Sequence, residues 1–347
     1  MTMSSVEGRT SRAARTGEIS SPRPSSLDAR RAFTLIEILV AMALLSLIVI
    51  ALMAVFNGTQ TAFRAGLTQN DVLEAGRATM DLMTADLKEL SPSQGGIGSI
   101  ANANAGVVPV NFSVALPSGT GVYGNILPLL QPLIPNGQQV RTNVVENFFI
   151  LSRGNDNGVP TWSGTGYAVC LSPTNLYSLY RFSSNCPVAA AGAPGNLFAE
   201  FQNYLQPGAG ILSAPPGGST NGWSHLLDGV VDLRVRAFDT NGVWINSQTL
   251  QGGQVSGNNI ETLSTGSGSD FGETGFYMFG DMLPAAVEIE MGVLEDRTLQ
   301  RAESLGIPNQ LPWTSPAQWS FLTNSAGQVH LFRERVTIPA ADPAAYQ

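Results

Sequence analysis

The stretch Phe33-Thr-Leu-Ile-Glu37-Ile-Leu-Val-Ala-Met-Ala-Leu-Leu-Ser46-Leu-Ile-Val-Ile-Ala-Leu-Met-Ala-Val-Phe56 decides how this chain is organised. Between Ile38 and Phe56 the one polar side chain is Ser46. A helix over those residues reaches about 28 Å, close to the hydrocarbon thickness of a bilayer. The run predicts a single membrane-spanning helix over 33–56. A cleaved secretory signal has a shorter apolar core, roughly 7–15 residues, followed by a small-x-small site, and no good site of that kind follows here. Upstream lie Arg9, Arg12, Arg15, Arg23, Arg30 and Arg31, against Glu7, Glu18 and Asp28. Few bases follow the span. Positive charge stays on the cytoplasmic side, so everything after the helix is expected outside the cytoplasm. Residues 1–32, rich in Ser, Arg and Pro, read as a disordered leader.

A plain signal anchor does not explain Glu37. A carboxylate at the edge of an apolar span is costly without a partner, and the segment offers no cation nearby. The sequence Arg30-Arg31-Ala32-Phe33-Thr34-Leu35-Ile36-Glu37 resembles the processing site of type IV prepilins and type II secretion pseudopilins. The resemblance implies a prepilin peptidase that cuts between Ala32 and Phe33 and methylates the new N-terminus. It also implies that Glu37 meets the amino terminus of a neighbouring subunit as helices stack. A carboxylate beside an ammonium is tolerable in lipid where either alone is not. One departure is Ala32, where that family usually has Gly; both are small.

Beyond the span, Leu73, Gly76, Met80, Met83, Leu87 and Leu90 recur at helical spacing. They predict an amphipathic continuation over 57–90 whose apolar stripe packs on the protein's own sheet. Asn57-Gly58 is a point where the helix could loosen, and Ser91-Pro92 ends it. Unbroken, a helix over 33–90 would be roughly 87 Å long. Residues 93–142, rich in Gly, Asn, Pro and Ser, read as an irregular connection. Strand-like runs follow at 144–151, 166–171, 176–182, 226–238, 242–245, 285–294 and 329–338. Val231 to Ala237 and Val287 to Met291 alternate apolar and polar residues, which suits an antiparallel sheet with one wet face. Asp239-Thr-Asn-Gly242 reads as a hairpin turn, and 246–280 as a loop insertion. The expected fold is therefore α+β: a long N-terminal helix, transmembrane then amphipathic, packed on an antiparallel β-sheet body over 91–347 with long loops.

Tyr177-Ser-Leu-Tyr-Arg181, the run Leu226 to Asp239 with Gly242-Val-Trp244, and Leu283-Pro-Ala-Ala-Val287 together resemble the J-type minor pseudopilins of type II secretion. This resemblance implies a non-enzymatic subunit of a pseudopilus, with its body in the periplasm and other major and minor pseudopilins as partners. A minor subunit of a type IV pilus is the nearest alternative. A tethered ligand-binding or enzymatic ectodomain is a further one.

Charge and composition narrow the remainder. The net charge is −8, and removing the leader leaves twelve bases against twenty-three acids. Such a body repels phosphate, so nucleic acid is not an expected partner. Charged residues are only 13% of the chain, and Gly (37) and Pro (21) make up about a sixth of it, which favours loops and short strands. Cys170 and Cys186 are expected to pair if the body is exported. His225 and His330 stand apart, outside any metal-binding spacing, and read as structural. No nucleophile elbow or phosphate-binding glycine pattern occurs. Gly154-Asn-Asp-Asn-Gly158 and Asp270-Phe-Gly-Glu273 offer oxygen ligands suited to calcium, but Asx-turns explain them equally well. No cofactor or metal is expected. Of the five tryptophans (162, 223, 244, 313 and 319), core packing is expected for most.

Overall fold

The computed structural model describes residues 33–96, 98–115, 129–132, 140–170, 178–205, 222–251, 253, 259–262, 275–304 and 324–346. The chain divides into two compact units, residues 1–61 and 62–347.

Helix α1 covers Leu35–Lys88 and continues through Asn57-Gly58 without a break. In the second unit its predicted stripe is buried from Gly76 onward, whereas Leu73 is only partly buried and Val72 beside it turns to the core. Val72, Met80, Met83 and Leu87, with Leu90 just beyond, are 0–4% exposed. Gly76 marks the tightest approach: a Cβ there would lie 2.3 Å from the Phe332 ring. Glycine is the one residue that lets the helix backbone sit this low on the sheet.

The remaining elements are α2 (Ile100–Asn104), β1 (Val110–Ala115), β2 (Leu129–Pro132), β3 (Val140–Asn143), β4 (Asn147–Asp156), β5 (Val159–Cys170), β6 (Ser178–Pro187), α3 (Gly195–Leu205), β7 (Trp223–Leu227), β8 (Val230–Phe238), α4 (Ser247–Gln251), β9 (Ile260–Thr262), β10 (Phe276–Phe279), β11 (Ala286–Leu294), α5 (Asp296–Ser304) and β12 (Val329–Thr337). Among the described residues they form a seven-stranded sheet in the order β7-β6-β5-β4-β1-β10-β9, a three-stranded sheet β12-β11-β8, and the pair β2-β3. The named strand pairs are antiparallel. The two larger sheets are tied by residues 144–146, which bond to β8 through Leu233 N–H to Val144 O and Glu146 N–H to Leu233 O, each 2.8 Å. Buried Asp232 and Glu146 reinforce this seam by accepting Val144 N–H and Val235 N–H.

The α+β expectation holds, with three corrections. The region 93–142 contains β1, which sits inside the large sheet between β4 and β10. The supposed insertion 246–280 contains α4, β9 and β10. The 242–245 run is no strand of its own but the far arm of the predicted turn, with Gly242 at φ 79° and Ile245 N–H bonded to Ala237 O. Asp239 Oδ1 closes that turn by accepting Asn241 N–H and Val243 N–H.

One face of the large sheet is covered by α3. Phe198 and Phe201 meet Phe149, Tyr277, Phe182 and Trp223 with ring centroids 5.0–5.7 Å apart. Gly166 makes room, since a Cβ there would lie 2.4 Å from Phe201.

Four of the described tyrosines, Tyr167, Tyr180, Tyr277 and Tyr346, are buried in the core. Burial pushes the hydroxyls of Tyr167, Tyr277 and Tyr346 well above the ordinary tyrosine value of 10. The unfolded chain releases these protons near pH 10 while the folded chain keeps them. Their contribution is thus complete below pH 10 and lost as pH rises above it. Each tyrosine steepens the loss by about 1.4 kcal/mol per pH unit, giving about 4 for the three. Far-ultraviolet dichroism and tyrosinate absorbance are expected to change together, in one cooperative transition above pH 10. Tyr277→Phe is expected to reduce the slope by about a third.

Candidate assembly and processing site

Thr34 starts α1. Its hydroxyl accepts Glu37 N–H at 3.3 Å. In return, Glu37 Oε2 accepts Thr34 N–H at 2.8 Å and the Thr34 hydroxyl at 2.9 Å. This Thr-x-x-Glu arrangement is a capping box, which satisfies otherwise orphaned amides of the first turn. The first-turn acid also opposes the positive end of the helix dipole. Thr34 supplies dipoles to Glu37 but no opposite charge.

Past the cap the helix is apolar on every side. Its large residues between Phe33 and Phe56 are each 45–81% exposed. Ser46 turns its hydroxyl onto Ala43 O at 2.8 Å, so it adds no unpaired donor to the span. The helix is long and apolar enough to cross a membrane. Phe63 and Leu67 extend the exposed apolar surface past Phe56, at 66% and 47%. Phe33 is itself 81% exposed. Ala32 and the rest of the leader lie outside the described residues.

The family described as "Prokaryotic N-terminal methylation motif" matches residues 27–53. The chain carries a prepilin-type N-terminus. That motif implies processing by a prepilin peptidase and assembly with other pilin-like subunits, and with the apolar helix it indicates membrane anchoring. No match was found among curated proteins, and none among solved structures.

A second cluster fixes α1 to the body. Asp86 accepts Arg181 Nε at 2.8 Å on one oxygen and Arg181 Nη2 at 3.0 Å on the other. The Tyr167 hydroxyl donates to the same carboxylate at 2.5 Å. The bond to Asp86 holds Arg181 protonated above even its usual range. A forked guanidinium on a carboxylate fixes geometry as well as charge. Asp86 therefore does not lie on the wet face of the helix with its acidic neighbours. Arg181 is the arginine of the Leu179-x-Arg181 motif, so that motif ties sheet to helix.

The other candidates are dispersed. The two cysteines lie on one ladder but far apart: Cys170 pairs with Ser178, and Cys186 with Trp162. Eight strand residues separate those rungs, about 26 Å. A disulfide needs Cα atoms within about 7 Å. The expected Cys170–Cys186 bond does not fit this register, and Cys186 is a free thiol. His225 Nε2 lies 2.9 Å from Asp228 Oδ1, and buried Ser178 donates to that same oxygen. The serine thus bonds the acid rather than the histidine, so this trio makes no nucleophile–base pair. His330 Nε2 lies 3.1 Å from Glu295 Oε1.

Asn157 and Gly158, with φ of 51° and 87°, form the two-residue turn between Asp156 and Val159. The Gly154–Gly158 calcium candidate is thus the tip of an Asn-Gly hairpin. Asp270 and Glu273 lie outside the described residues. Trp162 and Trp223 are buried. Trp244 lies under Arg236, 5.1 Å from its guanidinium carbon. Trp313 and Trp319 are outside the described residues.

Proposed function

We propose that this chain is a minor pseudopilin, a non-catalytic subunit that enters the pseudopilus of a type II secretion system through its processed N-terminal helix. The observation that carries the reading is the prepilin-type motif joined to a wholly apolar, exposed helix with one acid, Glu37, in its first turn. Cleavage before Phe33 would create an ammonium on one subunit. Stacking would bring it to the Glu37 carboxylate of the next, a pairing that favours the assembled register over solitary helices in lipid. The arginines of the leader favour a cytoplasmic N-terminus and a periplasmic body.

The J-type assignment is supported by the roles of its motif residues. Leu179, Leu283 and Val287 are core residues, Gly242 takes the positive φ of a turn, and Arg181 holds α1. The acidic body disfavours a role in DNA uptake. The reading assigns no cofactor or metal.

The test is a chromosomal deletion. Secreted enzymes are expected to accumulate in the periplasm while surface pili remain. Normal secretion with loss of pili would instead favour the type IV pilus reading.

A further inference from the structure

The outer face of the three-stranded sheet carries four arginines against two glutamates and the buried Asp232, which lies 4.0 Å from Arg234. The register sets Arg236, Glu288 and Arg335 in one row, and Arg234, Glu290 and Arg333 in the next. These four arginines are a third of the twelve bases that follow the leader. β12 ends the sheet, and among the described residues no strand pairs with its other edge. Leu331, Arg333, Arg335 and Thr337 are all exposed, at alternate positions of that strand. Phe332 and Val336 turn the other way, to the core. Leu331 is 53% exposed. The Arg333 side chain is 60% exposed even though it bonds Glu288 at 2.7 Å. Arg335 lies 4.0 Å above the Phe238 ring, which orients its guanidinium without neutralising it.

A bare strand edge offers a row of backbone donors and acceptors to another strand. On one face of such a pair, opposite charges stabilise and like charges destabilise. Two copies joined antiparallel about Glu334 would set arginine against arginine, so that register of self-pairing is disfavoured. An extended segment with acids at every second position would meet both arginines, and an apolar residue beside them would cover Leu331. We propose that the β12 edge docks such an acidic, extended segment of another protein by strand addition. The site does not depend on Glu37 or on membrane insertion.

The probe is a fluorescein-labelled peptide, Val-Thr-Glu-Thr-Glu-Thr-Val, titrated against the detergent-solubilised full chain at low salt and followed by anisotropy. Saturable binding is expected, weakened about tenfold or more by Arg333→Gln with Arg335→Gln. Arg335→Gln alone serves if the double variant fails to fold, with a smaller loss in the same direction. Neighbouring amides of a strand point to opposite edges. Of two peptides N-methylated at alternate amides, one is therefore expected to bind as the parent does and the other to lose binding. Equal binding by both would mean charge attraction without strand addition and would overturn the proposal. Absence of binding would also overturn it, leaving the arginines as guards against edge pairing. Arginine-dependent capture by phosphatidylglycerol vesicles, with the peptide ignored, would assign the face to lipid and overturn it equally.

Discussion

Glu37→Ala is expected to leave the chain anchored in the membrane but to remove it from assembled filaments, with incorporation falling about tenfold or more. Two roles meet in this carboxylate. It closes the capping box with Thr34, and in the proposed assembly it faces the amino terminus of a neighbour. The cap alone is worth about 1 kcal/mol, which a long apolar helix held by lipid tolerates. The ion pair is worth more, because its loss strands an ammonium in hydrocarbon. Glu37→Gln separates the two roles: its amide oxygen still accepts from Thr34, but its charge is gone. Both variants are expected to fail in assembly, read as the chain's share in the filament fraction by immunoblot. Assembly of the Gln variant at wild-type level would reduce Glu37 to a helix cap.

The second large effect is expected at Asp86. Asp86→Ala removes the acceptor shared by Tyr167 and Arg181, whose side chain is only 24% exposed. Leaving a half-buried guanidinium and a buried hydroxyl unpaired is expected to cost about 3 kcal/mol. For a body of this size that lowers the melting temperature by roughly 6–12 °C. Thermal denaturation of the full chain in detergent measures it. In a double-mutant cycle with Arg181→Ala, the second substitution is expected to cost much less once Asp86 is gone. Full additivity would show that the two residues act separately.

Much of this was legible in the sequence because it rests on periodicity. The stripe from Leu73 to Leu90 repeats every three or four residues, and it is buried from Gly76 onward, while at its start Val72 rather than Leu73 takes the buried place. Alternation in Val231 to Ala237 and Val287 to Met291 likewise placed β8 and β11. The misses have physical causes. Val110-Asn-Phe-Ser-Val114 alternates too, but the glycines and prolines around it masked a strand that lies inside the large sheet. Phe276 to Phe279 is short and apolar throughout, as suits a strand covered on both faces, so it carries no alternation to read. In α3, Leu197, Phe198 and Phe201 sit at helical spacing, yet an eleven-residue helix between loops gives a weak signal.

At the site, Thr34-x-x-Glu37 carries the capping-box signature in its sequence, and the structure forms that box. Gly154-Asn-Asp-Asn-Gly158 carried a turn signal beside its oxygen ligands, and Asn157-Gly158 forms the turn. The Asp86–Arg181 pair could not be read, because its partners are 95 residues apart and only the folded chain brings them together. The cysteines failed for the reason that spacing in sequence does not fix register. Fifteen intervening residues would allow a bridge, but the β5–β6 register holds the backbones of the two residues at distant rungs.

The most direct test of the central claim is the intact mass and N-terminal sequence of the chain extracted from membranes, with and without the prepilin peptidase. The account predicts a mature chain that begins at N-methyl-Phe33 when the peptidase is present, and the uncut chain when it is absent. A chain that keeps its leader in both strains would contradict it, and would leave α1 as a simple membrane anchor.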